Sequence, residues 1–159
     1  MKILFVCTGN TCRSTMAAAI ARHQAAEAGV DLEVESAGTH ALPGAPAAEE
    51  AVQVLREGGV DLPEHQARLL TREMVEGADL VLTMTAAQAA HARELAPEFA
   101  DRVHTLGGFA ASGEEVPDPI GLGVDAYREC ARQLAALIRL SIKRLMAEGK
   151  LSKTQNARH

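Results

Sequence analysis

The apolar positions of the chain follow two different periods in turn. Lys2–Val6, "KILFV", is an almost continuous apolar run, as in a strand buried on both faces of a parallel sheet. Arg13–Ala28 then places Met16, Ala19, Ile20 and His23 at helical spacing, and Gly29 supplies a stop. Val30–Ser36, "VDLEVES", predicts a second strand, and Gly38–Pro46, "GTHALPGAP", a loop. A helix is predicted over Ala47–Glu57, ended by Gly58 and Gly59. A third strand follows at Leu80–Thr83, and an alanine-rich helix at Ala86–Leu95. "DRVHTL" supplies a fourth strand, and Leu106–Gly123 predicts a long Gly- and Pro-containing loop. The last helix, Val124–Ala147, carries an apolar stripe through Cys130, Leu134, Ile138, Ser141 or Ile142, and Leu145. Residues 150–159 form a polar tail to a single domain over 1–149.

Strands alternating with helices predict an α/β fold, a parallel sheet with helices on both faces joined by right-handed crossovers. Ligands of such sheets bind beyond the carboxyl ends of the strands. Cys7 lies at one such end, and the two Gly/Pro loops can wall it.

Composition narrows the partners. The formal charge of -5, one Tyr, three Phe and no Trp give nucleic acid neither electrostatic attraction nor stacking platforms. No apolar run approaches the roughly 20 residues that span a bilayer. Three cysteines are too few for a disulfide scaffold and suit a reducing compartment, so the expectation is a cytoplasmic protein.

The chemistry gathers in "CTGNTCRS", Cys7–Ser14, between the first strand and its helix. Such a loop turns several backbone N–H groups toward one point, and with the helix dipole they bind an anion. Gly9 lets the backbone come close, Asn10 tolerates a left-handed conformation, and the Arg13 guanidinium grips two phosphate oxygens. The same donors favour the thiolate of Cys7, the nucleophilic form of cysteine. A leaving group needs a proton, and Asp118, between Pro117 and Pro119 in "EEVPDPIG", is the candidate general acid. A lone cysteine ending a buried strand is ordinarily core; Gly9, Asn10, Arg13 and Ser14 at fixed offsets reverse that reading. Cys130, on an apolar stripe, reads as packing. Cys12 is either packing or a partner for a transient disulfide with Cys7.

With "ILFVCTGNTCRS", "ESAGTH", "HQAR", "ADLVLTMT" and "VPDPIG", the chain resembles the low-molecular-weight protein tyrosine phosphatases over nearly its whole length. The resemblance implies a three-layer sandwich around a four-stranded parallel sheet of order 2-1-3-4. It implies Cys7 as nucleophile, Arg13 as phosphate binder and Asp118 as acid, no cofactor, and a phosphorylated protein as substrate. The phosphate-binding loop comprises Thr8, Gly9, Asn10, Thr11, Cys12, Arg13 and Ser14; Asn10, Ser14, Ser36 and His65 match positions that brace the loop or hydrogen-bond the thiolate. For His65 a surface helix cap competes with that role.

Within the family, Thr11 and "LVLTMT" resemble the bacterial protein-arginine phosphatases, whereas tyrosine phosphatases typically carry Ile at the Thr11 position. A threonine hydroxyl at the pocket rim hydrogen-bonds a guanidinium; an apolar side chain suits a phenol face. Ile120 stands where tyrosine phosphatases, and some arginine phosphatases, place an aromatic. Thr11, Ile120, His40 and Leu42 are therefore the expected selectivity residues. Thr15 stands where the family usually has Pro, a departure expected to affect helix entry more than chemistry. The expected activity is removal of phosphate from phosphoarginine in proteins through a cysteinyl-phosphate, by a monomer; tyrosine dephosphorylation is the alternative. An arsenate reductase would need two further mid-chain cysteines, and there is none between Cys12 and Cys130. A phosphocarrier needs neither Arg13 nor Asp118, and a non-catalytic phosphoprotein-binding module would be expected to have lost Cys7 or Asp118. His91 and Glu94 share a helix face without further ligands, so no metal site is expected.

Overall fold

A computed structural model of the chain describes residues 1–154. Its sheet contains β1 (Lys2–Cys7), β2 (Glu33–Gly38), β3 (Leu80–Thr83) and β4 (Val103–Thr105), all parallel, in the order β2-β1-β3-β4. The helices are α1 (Arg13–Ala28), α2 (Glu49–Glu57), α3 (Arg72–Gly77), α4 (Ala86–Leu95), α5 (Leu106–Phe109) and α6 (Val124–Ala147), with a 3-10 turn at Pro97–Arg102. The three-layer sandwich expected of the sequence is the fold observed.

The continuous apolar runs explain the layering. Side chains of β1 alternate across the sheet, so Ile3 and Phe5 join α1, α2 and α6 in one core. Leu4 and Val6 face the other way and pack with Val81, Val103 and the α3–α4 layer. Every residue of β3 is buried. On α6 the expected stripe of Cys130, Leu134, Ile138, Ser141, Ile142 and Leu145 is buried.

The boundaries differ from the pattern at several places: β1 runs on to Cys7 rather than ending at Val6, and α2 begins at Glu49 rather than Ala47. β2 begins at Glu33 rather than Val30, because Gly29 in the left-handed conformation (φ 65°) reverses the chain and the Val30 N–H returns to the Ala25 carbonyl. Glu33–Gly38 then pairs with β1 up to Cys7↔Gly38, so the strand also ends two residues later than expected. α3 was not signalled by any long apolar period; the Thr71 hydroxyl caps it by accepting from the Met74 N–H. The expected loop Leu106–Gly123 opens with the helical turn α5, which Thr105 caps and Gly107 and Gly108 conceal. Residues 150–154, assigned to the polar tail, pack on the body: Leu151 is buried, Asp31 N–H donates to the Ser152 carbonyl, and Thr154 N–H donates to that of Gly29. Residues 155–159 of the expected tail lie outside the described residues. His23, expected on the buried stripe of α1, is half-exposed and lies 3.6 Å from Glu27.

The end of β2 is pressed against the loop that follows β1. A Cβ on Gly38 would lie 2.5 Å from the Thr8 carbonyl oxygen and 2.9 Å from the Asn10 nitrogen, both backbone atoms. Gly38→Ala is expected to cost about 1–3 kcal/mol, the usual range for overpacking, and to weaken phosphate binding. Urea denaturation and phosphate titration check this; wild-type values in both would show that the loop yields freely.

Candidate active site

Between β1 and α1, the chain from Cys7 to Ser14 curls around one point. Asn10 makes this possible. It is fully buried and left-handed (φ 56°), a conformation asparagine tolerates better than most residues. Its side chain makes three hydrogen bonds. Nδ2 donates to Ser14 Oγ and to Ser36 Oγ, each at 2.9 Å, and Oδ1 accepts from the Arg68 N–H at 2.9 Å. Its own N–H donates to Cys7 Sγ at 3.3 Å. Ser14 Oγ lies 2.9 Å from Cys7 Sγ. Against a thiolate, which can only accept, the Ser14 hydroxyl is the donor of this bond.

Arg13 starts α1 and is buried. One terminal nitrogen donates to the Val116 carbonyl at 3.0 Å; the other lies 3.6 Å from Asp118 Oδ2. Among the described residues the buried Nε–H has no acceptor, a feature that suits an anionic oxygen. Asp118 is 44 % exposed at its side chain and accepts from the Ile120 N–H at 3.1 Å. Val116 fixes the segment, its N–H donating to the Met84 carbonyl at 3.0 Å. Glu115 adds a second tether by accepting from the Ala86 N–H at the start of α4. The structure thus brings together Cys7, Arg13, Ser14 and Asp118 across more than a hundred residues of chain.

His65 lies in irregular chain between α2 and α3 rather than at a helix end, and its Nε2 is 2.6 Å from the Asn10 carbonyl. Thr8 is held by Gln88, whose Nε2 donates to Thr8 Oγ1 at 3.1 Å while its Oε1 accepts from the Met84 and Thr85 N–H groups. Gln88 carried no signal in the sequence; in the structure it also forms a capping box with Thr85 at the start of α4. Thr15, expected to affect helix entry, lies in the first turn of α1 and also donates its hydroxyl to the Asn10 carbonyl at 3.0 Å. The Thr11 carbonyl accepts from the Ala48 N–H, tying the loop to the segment before α2. His40 is exposed, its N–H bonded to the Thr8 carbonyl and its ring 5.5 Å from that of His91. Leu42 and Ile120 are 75 % and 57 % exposed. A cleft of about 530 Å³ between α1, α2 and α6, floored by Ile20 and Leu55, lies away from this loop and contains no nucleophile.

Burial pushes the Cys12 thiol up to about 12, with the neighbouring Cys7 adding to the effect. Its sulfur lies 3.8 Å from Asp118 Oδ1. Burial pushes Cys130 to about 12 as well, and Tyr127 likewise. No sulfur of the three cysteines is in a disulfide.

The family model of low molecular weight phosphotyrosine protein phosphatase matches residues 2–153. A protein-arginine-phosphatase of Bacillus subtilis is 40 % identical over 149 residues, covering 91 % of this chain and 97 % of its own. A low molecular weight protein-tyrosine-phosphatase of Staphylococcus haemolyticus is 35 % identical, covering 87 % of this chain and 95 % of its own. Among solved structures, a YwlE arginine phosphatase mutant with a phosphorylated active site serine superposes with a TM-score of 0.88 at 38 % identity, over 92 % of this chain and 96 % of that one.

A thiol that titrates near 12 is thiolate in only about one part in 10⁴ at pH 8, and the fraction rises tenfold per pH unit until the pKa is reached. Cys12 and Cys130 are therefore expected to resist iodoacetamide in the folded protein at pH 8 and to react once unfolded in guanidinium. Peptide mapping by mass spectrometry checks this; labelling of Cys12 at the rate of a free thiol would contradict its placement.

Proposed function

The chain belongs to the low molecular weight phosphotyrosine protein phosphatase family, and from that premise we propose that it is a cysteine-dependent protein phosphatase with a preference for phosphoarginine. One observation carries the chemistry: a cysteine sulfur, a buried arginine with an unpartnered N–H, and a carboxylate from a distant loop converge at the N-terminus of α1.

The reaction runs in two displacements. The Cys7 thiolate attacks phosphorus in line, forming a P–S bond as the bond to the substrate nitrogen or oxygen breaks. Asp118 gives its proton to that leaving atom. The loop N–H groups and the Arg13 fork hold the equatorial oxygens, where charge must be accommodated through the transition state. Water then attacks the cysteinyl-phosphate, Asp118 takes its proton, and the P–S bond breaks to return the thiolate and inorganic phosphate. Ser14, donating to the sulfur, stabilises Cys7 as the leaving group of this second step. Arg13 links the two parts of the site, because the guanidinium that grips phosphate also holds the Val116 carbonyl of the acid loop.

The substrate preference rests on Thr11, whose hydroxyl suits a guanidinium, and on Asp118, whose protonated carboxyl can hydrogen-bond a guanidinium nitrogen before giving it the proton. Ile120 in place of an aromatic weakens the case for a stacked phenol. Phosphotyrosine is the second reading, favoured by the tyrosine-phosphatase relatives. His40 and Leu42 form the opposite wall in either case. We place the enzyme in the cytoplasm, where its three free cysteines stay reduced, acting as a monomer on phosphorylated proteins. Among the described residues no helix is long and apolar enough to cross a membrane. Peroxide would oxidise the Cys7 thiolate to a sulfenic acid, releasing hydroxide. Cys12, held protonated by burial, would condense with it slowly, forming a disulfide and water.

Cys7→Ser is expected to abolish turnover yet still bind orthovanadate; turnover near the wild-type rate would exclude the covalent route. Asp118→Asn should lower kcat by about 10²–10⁴ on substrates with poor leaving groups and much less on p-nitrophenyl phosphate. Equal losses on the two would place the acid elsewhere.

Selectivity is tested by kcat/KM on phosphoarginine and phosphotyrosine peptides. The wild type should favour phosphoarginine, and Thr11→Ile should shift the ratio toward phosphotyrosine. An unmoved ratio would remove Thr11 as selector and make phosphotyrosine the better reading.

A further inference from the structure

The Asn10 carbonyl oxygen receives two donors, His65 Nε2 at 2.6 Å and Thr15 Oγ1 at 3.0 Å. These two donors are themselves only 3.2 Å apart. So short an approach to a carbonyl requires a hydrogen on Nε2, which assigns the ring nitrogen as donor. With Nε2–H committed to the carbonyl, the Thr15 hydroxyl points its own hydrogen at the same oxygen. Thr15 is the third residue of α1 and is buried, and its side chain reaches back five residues to the loop.

A trans peptide places its C=O and the following N–H on opposite sides. The oxygen that Thr15 and His65 hold belongs to the peptide joining Asn10 to Thr11. Anchoring that oxygen on Thr15 and His65 therefore turns the Thr11 N–H away from those two side chains. Asn10 cannot hold this peptide by its side chain, which is already committed to Ser14, Ser36 and the Arg68 N–H.

We infer that Thr15 is a positioning residue for phosphoryl binding: its hydroxyl, with His65, fixes the Asn10–Thr11 peptide so that the Thr11 N–H points at a phosphate oxygen. The inference rests on the phosphatase reading only in what the anion is for. The anion site itself is testable by binding alone. A proline at position 15 would suit the start of a helix but offers no hydroxyl, so this chain braces its loop by a contact of its own.

The test compares Thr15→Val, which keeps the shape and removes the donor, with Thr15→Ser, which keeps the donor. Thr15→Ala provides a second deletion that adds no volume if the valine variant folds poorly. Binding of inorganic phosphate is followed by calorimetry, thermal unfolding by circular dichroism, and kcat/KM on p-nitrophenyl phosphate. One neutral hydrogen bond corresponds to a loss of about 3- to 10-fold in phosphate affinity. Val and Ala are expected to show that loss, with kcat/KM falling at least as far, while Ser stays within about twofold of wild type. Similar affinity in all four proteins, or equal losses in Ser and Val, would overturn the positioning role and leave Thr15 as helix packing. If the wild type binds phosphate but turns over no substrate, the phosphatase reading fails and the affinity comparison still decides the role of Thr15.

Discussion

A single left-handed residue holds the site open. Asn10 turns the chain so that its own N–H meets the Cys7 sulfur, and its side-chain amide and carbonyl oxygen are matched as well. Burial of an unmatched amide costs about 1–3 kcal/mol, so these bonds determine the loop's shape rather than decorate it. The bonds also reach into three other parts of the chain. Ser36 lies on β2, Arg68 lies before α3, and Ser14 lies on α1. The loop's geometry is thus held by elements that pack independently of it.

Behind that clamp stands the sheet. β1 is flanked on both sides by parallel partners, with Cys7 aligned against Gly38 and Val6 against Thr83. The cysteine therefore emerges from the most constrained strand of the fold. Gly38 is small because the loop's backbone occupies the space where a side chain would stand. Rigidity of this kind suits a site whose donors must be aimed before the substrate arrives.

The acid loop is secured differently. Pro117 and Pro119 stiffen it, yet its registration comes from Val116, which is bonded to Met84 on one side and to Arg13 on the other. Glu115 adds a bond to the first turn of α4. Asp118 itself stays partly exposed and touches Arg13 only at 3.6 Å. A fixed anchor with a freer carboxylate suits the role proposed for Asp118, delivering a proton to leaving groups of different size.

The periods of the apolar residues determined the parallel sheet and its flanking helices, because strands buried on both faces and helices buried on one leave different marks. The spacing of Cys7, Gly9, Asn10, Arg13 and Ser14 likewise pointed to an anion loop, since all of it lies within one local stretch. The resemblance carried by the longer motifs supplied the strand order. Where contacts are made at long range the sequence was silent or misleading. Gly107 and Gly108 hid α5, whose cap is supplied by Thr105. The 150–154 segment looked polar, yet Leu151 is buried and its neighbours' backbone bonds to the turn around Gly29. Thr15 looked like a helix-entry substitution, and His65 equally like a surface cap. Both are bound to one carbonyl oxygen because the segment between α2 and α3 packs against the loop. Periodicity records which face of an element is buried; only the tertiary structure determines which polar atoms from distant segments meet there.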